Sequence, residues 1–464
     1  MASESKSSAL ELKAVEHAKN GELKLLKKLY ENPKDEKLSP DARDADGETG
    51  LMWAAGRGWL EVVKFLVSKG ASLELVDHWG FNALMLAAQC GKLEVCMFLV
   101  ENGASFTARS TGPKGGRTAR QLAAAKREMR VVSYLLRKER ESGMFSGMFS
   151  PVMTEFEAKT HRLVVKNIPA YAQHLAKTGV RGVFACGTCG ESMTLSEEER
   201  KTVIEAWVHA RNTLNLPLVI IAQVGCESVQ AAAALAGHAQ AVGADAVSCM
   251  VPTFFKPPSV KEAVAFTAKV AAAAPGSHFL FYQFPGMTGG TMKASEWVEE
   301  AKVVMPNLAG LKFTSLDVID YAMLCQNDQK NQFAFLPGYE SAYSAFAAFN
   351  NSTGRRFGGV GGCSNFMNGL TARFIEIADA DLPSGEKFKK LEAITTLLRR
   401  VDAIAKKASF TAVLKVAMQR LGVATSIAVR LPARELSDEE AHWVKGELDA
   451  LYIDVEKLLG GSSA

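Results

Sequence analysis

From about residue 148 onward, short apolar runs alternate with longer stretches in which apolar and polar positions recur at helical spacing. This alternation is typical of strands joined by helical crossovers, which produce a parallel sheet. The predicted strands are Met148–Met153, Gly182–Cys186, Leu218–Ala222, Ala246–Met250, Phe279–Tyr282, Ala309–Phe313, Phe333–Leu336 and Phe357–Val360. Alanine-rich helices are predicted between them, for example over 197–213 and 230–241.

Eight such units favour a closed (β/α)8 TIM barrel over an open doubly wound sheet. No early strand ends in the glycine pattern of the dinucleotide-binding folds, which argues against the open sheet. After the eighth strand, residues 370–459 are predicted to be helical, without a further strand, and to pack outside the barrel. The pattern therefore predicts an α/β barrel domain with a C-terminal helical extension over 148–459.

The first part of the chain contains an internal repeat. The run GETGLMWAA that starts at Gly47 returns as GFNALMLAA starting at Gly80, so the period is 33 residues. A small-residue helix and an apolar helix, each ended by glycine, resemble the ankyrin repeat at this period. A degraded copy follows from Gly116 and a weaker one precedes around Gly21. We expect an all-α ankyrin-repeat domain over 10–140, with the outer copies as caps.

Ankyrin arrays generally bind proteins, so this resemblance implies a protein partner. So few repeats are equally consistent with a packing or oligomer-shaping role. The basic residues of the end helices are expected to be solvated faces rather than a binding patch. Between the two domains, KERESGMFSGMFSP changes from charged helix to glycine, serine and proline, which predicts a linker over 141–147.

Composition narrows the class of protein further. The 464 residues are 48% hydrophobic and 22% charged with a net charge of +4, which argues against a disordered chain and against a basic nucleic-acid-binding face. No apolar run reaches the length of a membrane span, and the first twelve residues lack the apolar core of a signal peptide. The eight cysteines lie mostly within apolar runs, which favours a reduced, cytoplasmic protein.

The sharpest chemical signal is a lysine in the sixth predicted strand. In Gly310–Thr314, the two-residue period of a strand directs Leu311 and Phe313 toward the helices and Lys312 toward the barrel interior. Desolvation lowers the pKa of such a lysine and leaves more free amine to attack a carbonyl. The alternative is a lysine at the barrel mouth that pairs with a carboxylate.

Two other strand ends carry polar chemistry, since active sites of such barrels lie where the strands end. Tyr282 can supply the acid and base steps that imine chemistry needs, or it can be a core tyrosine. The turn Gly187–Gly190, at the start of a predicted helix, offers N–H groups and the Thr188 hydroxyl to a keto-acid carboxylate. Cys186 and Cys189 also form a C-x-x-C pattern, but no second pair stands at metal spacing, so no metal site is predicted.

Together these motifs resemble the N-acetylneuraminate lyase and dihydrodipicolinate synthase superfamily, from Met148 to about Leu451. Its G-[ST]-T-G-E turn, Y-x-x-P strand end and G-x-K-x-[ST] lysine correspond to residues 187–191, 282–285 and 310–314. The resemblance implies that Lys312 forms an imine with pyruvate or the substrate ketone, that Tyr282 is the acid/base group, and that Thr188 with Cys189 binds the carboxylate and relays a proton. It also implies no metal, no dissociable cofactor and a homo-oligomer, usually a tetramer.

Within this superfamily the chain is more similar to the lyase branch. Phe254 and Phe255 stand where the synthase branch usually has a tyrosine, and Met287 stands where that branch usually has an arginine. The substrate-binding positions that the resemblance implies are Thr188, Cys189, Thr314, Gly338, Glu340, Ser341 and Gly362. The chain departs from the lyase pattern after the seventh strand, where G-x-D-E is usual, and at Gly362, where a hydroxyl is usual. An alternative sugar or aldehyde therefore stays open.

The predicted activity is a class I lyase reaction that cleaves N-acetylneuraminate reversibly to N-acetylmannosamine and pyruvate. The alternatives are 4-hydroxy-tetrahydrodipicolinate synthase or another pyruvate-dependent aldolase of the same superfamily. A third hypothesis is that the protein is not an enzyme but an ankyrin-based interaction scaffold with an inactive barrel. Retention of Lys312, Tyr282 and Thr188 together argues against the scaffold, because an inactive barrel has no physical need for a buried amine.

Overall fold

The computed structural model describes residues 2–31, 38–111 and 116–460 and divides into two compact units, Met1–Glu139 and Arg140–Ala464. The first unit is all-α. Its helices are α1 (Ala2–Asn20), α2 (Leu23–Tyr30), α3 (Gly50–Arg57), α4 (Leu60–Ser68), α5 (Ala83–Gln89), α6 (Leu93–Glu101), α7 (Ala119–Ala125) and α8 (Met129–Glu141), the last of which continues into the second unit.

The repeat is visible in how the first helix of each pair begins. Thr49, Asn82 and Thr118 are the N-cap residues of α3, α5 and α7, and each side chain accepts the backbone N–H of the residue three positions later. Such a cap satisfies one of the N–H groups that a helix start leaves without a partner. Gly58 and Gly91 follow α3 and α5 with left-handed φ angles of 86° and 69°, a conformation that glycine adopts without strain.

The apolar faces of these helix pairs form one continuous core. Leu51, Leu84 and Leu99 are fully buried in it, together with the small residues that follow the caps. No single pair could bury its apolar face alone, so stacking of neighbouring repeats stabilises the unit. The predicted ankyrin-repeat architecture is confirmed.

The second unit contains a parallel sheet with helices around it. Its strands are β1 (Gly147–Pro151), β2 (Glu155–Phe156), β3 (Leu163–Val164), β4 (Gly182–Ala185), β5 (Val219–Gln223), β6 (Ala246–Cys249), β7 (His278–Gln283), β8 (Leu308–Phe313), β9 (Ala334–Pro337) and β10 (Gly358–Val360). The eight-stranded sheet runs in the order β10-β1-β4-β5-β6-β7-β8-β9, and the terminal strands of this order, β9 and β10, lie side by side. The predicted barrel is confirmed, with strand ends shifted by one or two residues.

The short antiparallel pair β2 and β3 was not predicted. The helices of this unit are α9 (Ile168–Lys177), α10 (Glu197–Thr213), α11 (Val229–Val242), α12 (Val260–Ala273), α13 (Pro285–Thr288), α14 (Ala294–Val304), α15 (Val318–Asn327), α16 (Tyr343–Ser352), α17 (Asn368–Asp379), α18 (Ser384–Ala408), α19 (Phe410–Arg420) and α20 (Asp438–Leu459). Within the described part of the chain, no helix is both long and apolar enough to cross a bilayer.

Two hydrophobic layers lie inside and outside the strands. The interior layer includes Phe149, Phe184, Ile221, Leu280, Tyr282, Leu336 and Val360. The outer layer lies under the helices and includes Leu311 and Phe313, as the strand period predicts. Side chains therefore alternate between a filled interior and a helix-covered exterior.

Strand β8 contains a bulge just before the lysine. Phe279 and Leu280 of β7 are neighbours of Leu308 and Gly310, so Ala309 is an extra residue on β8. Gly310 has a φ of 141°, and a Cβ there would lie 1.9 Å from the backbone oxygen of Ala334 on β9. The bulge needs glycine at this position, because any side chain would collide with the neighbouring strand.

The C-terminal extension is not one helical run. Residues 421–437 between α19 and α20 form no helix, so the predicted helical stretch over 370–459 was partly wrong. Gly422 follows α19 with a left-handed φ of 70°, and Ser437 caps the start of α20. Between them, Pro432 has no backbone N–H to donate and so disfavours a helix. This segment packs against the barrel, where Arg430 bonds to Glu191 in the turn after β4 and to Glu199 of α10.

Candidate active site

Lys312 projects from β8 into the barrel interior. Its side chain is 4% exposed, and its Nζ lies 4.3 Å from the ring centre of Phe184 and 4.4 Å from that of Tyr282. Tyr282 is the direct neighbour of Lys312 in the register between β7 and β8. The amine is thus held between two aromatic faces in a largely dry site.

This environment sets the charge state of the amine. Burial lowers the pKa of Lys312 from 10.5 to about 8, and an ionised Cys189 or Glu340 nearby would act in the opposite direction. Glu340 acts on the lysine through its charge and not through a hydrogen bond. A carboxylate that pairs with Lys312, the alternative interpretation of the sequence, is therefore not what the described residues show. The amine has the properties of a nucleophile for a carbonyl.

The phenol of Tyr282 is linked to the glycine-rich turn. Tyr282 Oη lies 3.0 Å from Thr188 Oγ1, and the ring packs edge-on against Phe184. Burial raises the pKa of Tyr282 well above 10, so the phenol is protonated at neutral pH. A proton on this phenol can therefore be exchanged with the Thr188 hydroxyl.

The turn after β4 leaves backbone donors for a ligand. Its N–H groups at Gly190, Glu191 and Ser192 bond back to carbonyls of the same turn. Those of Thr188 and Cys189 donate to no other described residue, so they are available to a carboxylate. The prediction that this turn lies at the start of a helix is wrong. A short 3₁₀ turn follows over Ser192–Thr194, and α10 begins only at Glu197, so no helix dipole assists here.

Cys189 stands where the G-[ST]-T-G-E motif, which this turn resembles, has a threonine. Burial raises the pKa of its thiol to about 11, so it is a neutral side chain beside the amine. All eight cysteines are free thiols, and Cys186 instead contacts the backbone oxygen of Arg200. The C-x-x-C pattern is thus not a disulfide in this structure.

The site also includes Thr314, which directly follows β8, and Gly338, which directly follows β9. The N–H of Thr314 donates to Gln283 O, and that of Gly338 donates to Phe313 O, which extends the ladder past the strand ends. A Cβ at Gly338 would lie 2.3 Å from Thr314 Oγ1 and 3.3 Å from Lys312 Cε. Glycine is therefore required at 338 for the lysine and the threonine to approach each other.

The remaining predicted residues are already engaged within the protein. Glu340 is buried, and its Oε1 accepts the N–H of Cys363 at 2.8 Å. Burial, with the nearby charge of Asp402, raises the pKa of Glu340 to about 8. Ser341 accepts at its backbone oxygen from Arg399 Nε at 2.9 Å.

Gly362 lies under an aromatic ring. A Cβ at this position would lie 2.2 Å from the ring carbons of Phe410, the first residue of α19. Phe410 follows Ser409, which has a left-handed φ of 66°. The ring therefore occupies the space in which a hydroxyl side chain at position 362 would stand.

Three residues that surround the site were not predicted from the sequence. Phe184 lies under the lysine, Phe410 covers Gly362, and Lys415 on α19 forms an ion pair with Glu191 of the turn. A signal existed for Lys415, because this lysine interrupts the apolar run from Val413 to Ala417. Phe184 and Phe410 look like ordinary core residues in the sequence.

Comparison with known proteins adds independent information. Residues 144–451 match the family described as the dihydrodipicolinate synthetase family, and residues 14–110 match ankyrin repeats in three copies. N-acetylneuraminate lyase of Mus musculus is 33% identical over 211 residues, which cover 45% of this chain and 63% of the mouse protein. The enzyme of the same name from Xenopus tropicalis is 33% identical over 234 residues, covering 49% of this chain and 71% of that protein.

A solved structure shows the same fold. Proteus mirabilis N-acetylneuraminate lyase superimposes with a TM-score of 0.59 at 27% sequence identity, covering 66% of this chain and 98% of the bacterial one. The sequence match to the mouse protein thus spans less than two thirds of that protein, whereas the structural match spans nearly all of the bacterial enzyme.

Proposed function

This chain belongs to the dihydrodipicolinate synthetase family, and we propose that it cleaves N-acetylneuraminate reversibly to N-acetylmannosamine and pyruvate. Its class of enzyme, a carbon–carbon lyase of the class I aldolase type, is the one that the motifs predict. The observation that carries the proposal is the position of the Lys312 amine, buried in the barrel beside the phenol of Tyr282.

The reaction begins with imine formation. The neutral amine of Lys312 attacks the C2 carbonyl of the keto acid, whose carboxylate is bound by the N–H groups of Thr188 and Cys189. Tyr282 donates its proton to the resulting hydroxyl, which leaves as water and gives an iminium and a phenolate. The adjacent Thr188 hydroxyl stabilises the phenolate by donating a hydrogen bond to it.

Carbon–carbon cleavage follows in the same geometry. The phenolate of Tyr282 takes the proton of the C4 hydroxyl, the C3–C4 bond breaks, and its electron pair moves through C2 to the iminium nitrogen. The aldehyde leaves, and the phenol of Tyr282 gives its proton to C3 of the enamine that remains, which restores the iminium and the phenolate. Water then hydrolyses the imine, releasing pyruvate and restoring the amine of Lys312.

Borohydride trapping tests the imine. The protein is incubated with pyruvate and sodium borohydride, digested, and the modified peptide is identified by mass spectrometry. We expect a single adduct on Lys312, because its amine is largely uncharged above pH 8 whereas exposed lysines are not. A Lys312→Arg variant serves as the control and should give no adduct. The aldolase proposal is rejected if the wild-type protein gives none, or gives one on another lysine.

A second candidate is a different pyruvate-dependent aldolase, one that acts on a smaller 2-keto-3-deoxy acid. The specific observation in its favour is that Glu340 already accepts the N–H of Cys363, and that Phe410 covers Gly362. Those positions are the ones expected to hold the polyol tail. Pyruvate release from N-acetylneuraminate and from shorter 2-keto-3-deoxy acids, compared as kcat/KM, separates the two candidates, with the synthase reaction as a third arm.

We also propose a homo-oligomer, in keeping with the tetramer that the resemblance implies. Phe254 and Phe255 are 80% and 82% exposed on the loop after β6, which is unusual for aromatic residues with no partner surface. Light scattering of the purified protein measures the assembly directly. The ankyrin unit is proposed to bind a protein partner, and the free cysteines are consistent with a reducing, cytoplasmic location.

A further inference from the structure

The turn that carries Thr188 and Cys189 begins and ends in an unfavourable backbone conformation. Cys186 and Glu191, the residues on either side of it, have left-handed φ angles of 55° and 51°. Residues with a Cβ rarely adopt this conformation, and they keep it only where surrounding contacts enforce it. The turn therefore depends on contacts outside itself for its shape.

Glu191 is held at both carboxylate oxygens. Its Oε1 lies 2.5 Å from Nζ of Lys415 on α19, and its Oε2 accepts the backbone N–H of Arg430 at 2.9 Å. The two side chains of the ion pair are 6% and 0% exposed. The end of the turn is thus fixed to the C-terminal extension rather than to the barrel.

Lys415 is itself fixed on three sides. Its Nζ donates to Ala428 O at 2.5 Å, lies 4.5 Å from the ring centre of Phe156, and pairs with Glu191. Burial lowers the pKa of Lys415, and the charge of Glu191 opposes that effect. A buried pair of this kind is weak evidence for stability, because apolar residues of similar volume often serve a fold equally well.

The other side of the turn rests against the end of β1. Gly190 O accepts the hydroxyl of Thr154, and a Cβ at Gly190 would lie 3.1 Å from Val152 O. The turn is therefore held between the loop after β1 and helix α19. A shift at either support would move the Thr188 and Cys189 donors.

We propose that the ion pair between Lys415 and Glu191 is a positioning device that holds the Thr188–Cys189 turn in the shape that binds the substrate carboxylate. Neither residue touches the reacting atoms in this assignment. The inference rests on the proposed function only in that the carboxylate belongs to a keto acid bound at Lys312.

The test removes both charges together, since a single change leaves a buried charge without a partner. In the double variant Glu191→Gln with Lys415→Met, we expect the pyruvate concentration for half-maximal borohydride trapping at Lys312 to rise about tenfold or more, because a small misplacement of binding groups is costly. The amount of adduct at saturating pyruvate should stay at the wild-type level. The matched control is Arg211→Met with Asp245→Asn, an equally buried pair, 2.6 Å apart, at the opposite end of the strands.

A second measurement needs no ligand. Hydrogen exchange of the peptide that covers residues 186–192 should become faster in the double variant and stay unchanged in the control. Unchanged exchange together with unchanged half-saturation in a folded double variant would overturn the positioning role. If the wild-type protein forms no adduct at any pyruvate concentration, the proposed function fails, and the exchange measurement alone decides the positioning role.

Discussion

The amine of Lys312 carries an energetic cost for the folded protein. Its pKa of about 8 lies below the value of 10.5 that it has when solvated. Each tenfold change in an acidity constant corresponds to about 1.4 kcal/mol. Below pH 8 the buried ammonium therefore costs the folded state about 3 kcal/mol, and this cost disappears as the pH rises toward 10.5 because the unfolded chain then also loses its proton.

We predict that Lys312→Met is more stable than the wild-type protein at pH 7, by up to about 3 kcal/mol. The difference should shrink between pH 8 and 10.5, where the wild-type protein gains stability from this group. Urea unfolding of both proteins at pH 7, 9 and 10.5 measures it. If Lys312→Met is instead less stable than the wild-type protein at pH 7, the amine makes a stabilising ion pair in the folded state.

At the scale of elements, strand β8 combines a bulge with a close approach to β9. The extra residue Ala309 and the glycine after it set the direction in which Lys312 leaves the strand. The side chain of Leu311 faces the helices and that of Lys312 faces the interior. The direction of the amine thus depends on a backbone feature two residues away from it.

Gly310→Ala should destabilise the barrel by about 3 kcal/mol or more, because the added Cβ meets the backbone of Ala334 and the φ of 141° is unfavourable for alanine. Thermal or urea unfolding of the barrel measures the change. Gly446→Ala in α20 is the matched control, since a Cβ there meets no atom within 4 Å and should stabilise the helix slightly. Equal effects of the two substitutions would contradict the close-approach argument.

At the scale of the whole molecule, each of the two described units has a hydrophobic core of its own. The ankyrin core includes Leu84, the barrel core includes Leu235, and the two clusters share no residue. Each of these leucines is fully buried. Two cores of this size are expected to unfold as distinct cooperative units.

We predict two unfolding transitions. Leu84→Ala should lower the midpoint temperature of one, and Leu235→Ala should lower that of the other. Each substitution should cost about 2 to 5 kcal/mol in its own unit. Differential scanning calorimetry resolves the two transitions. At temperatures above the transition that Leu84→Ala affects, borohydride trapping at Lys312 should still occur, because the barrel is still folded. A single transition shifted by both substitutions would show that the two units unfold together.

Features that depend on near neighbours along the chain were predictable. The 33-residue repeat, the strand and helix alternation, and the inward direction of Lys312 all follow from local periodicity. These predictions are confirmed in the ankyrin repeats, in the eight-stranded barrel and in the directions of Leu311 and Lys312. The family followed from three ordered motifs, each only a few residues long.

Features that join distant parts of the chain were decided only by the tertiary structure. The ion pair of Glu191 with Lys415, the ring of Phe410 over Gly362 and the bond from Cys363 to Glu340 each connect segments far apart in sequence. Periodicity specifies which face of a helix is buried but not which residue it meets, because that depends on how the C-terminal helices pack against the strand ends. The sequence by itself thus determined the fold and the inward-facing lysine, while the packing of α19 decided the shape of the site around it.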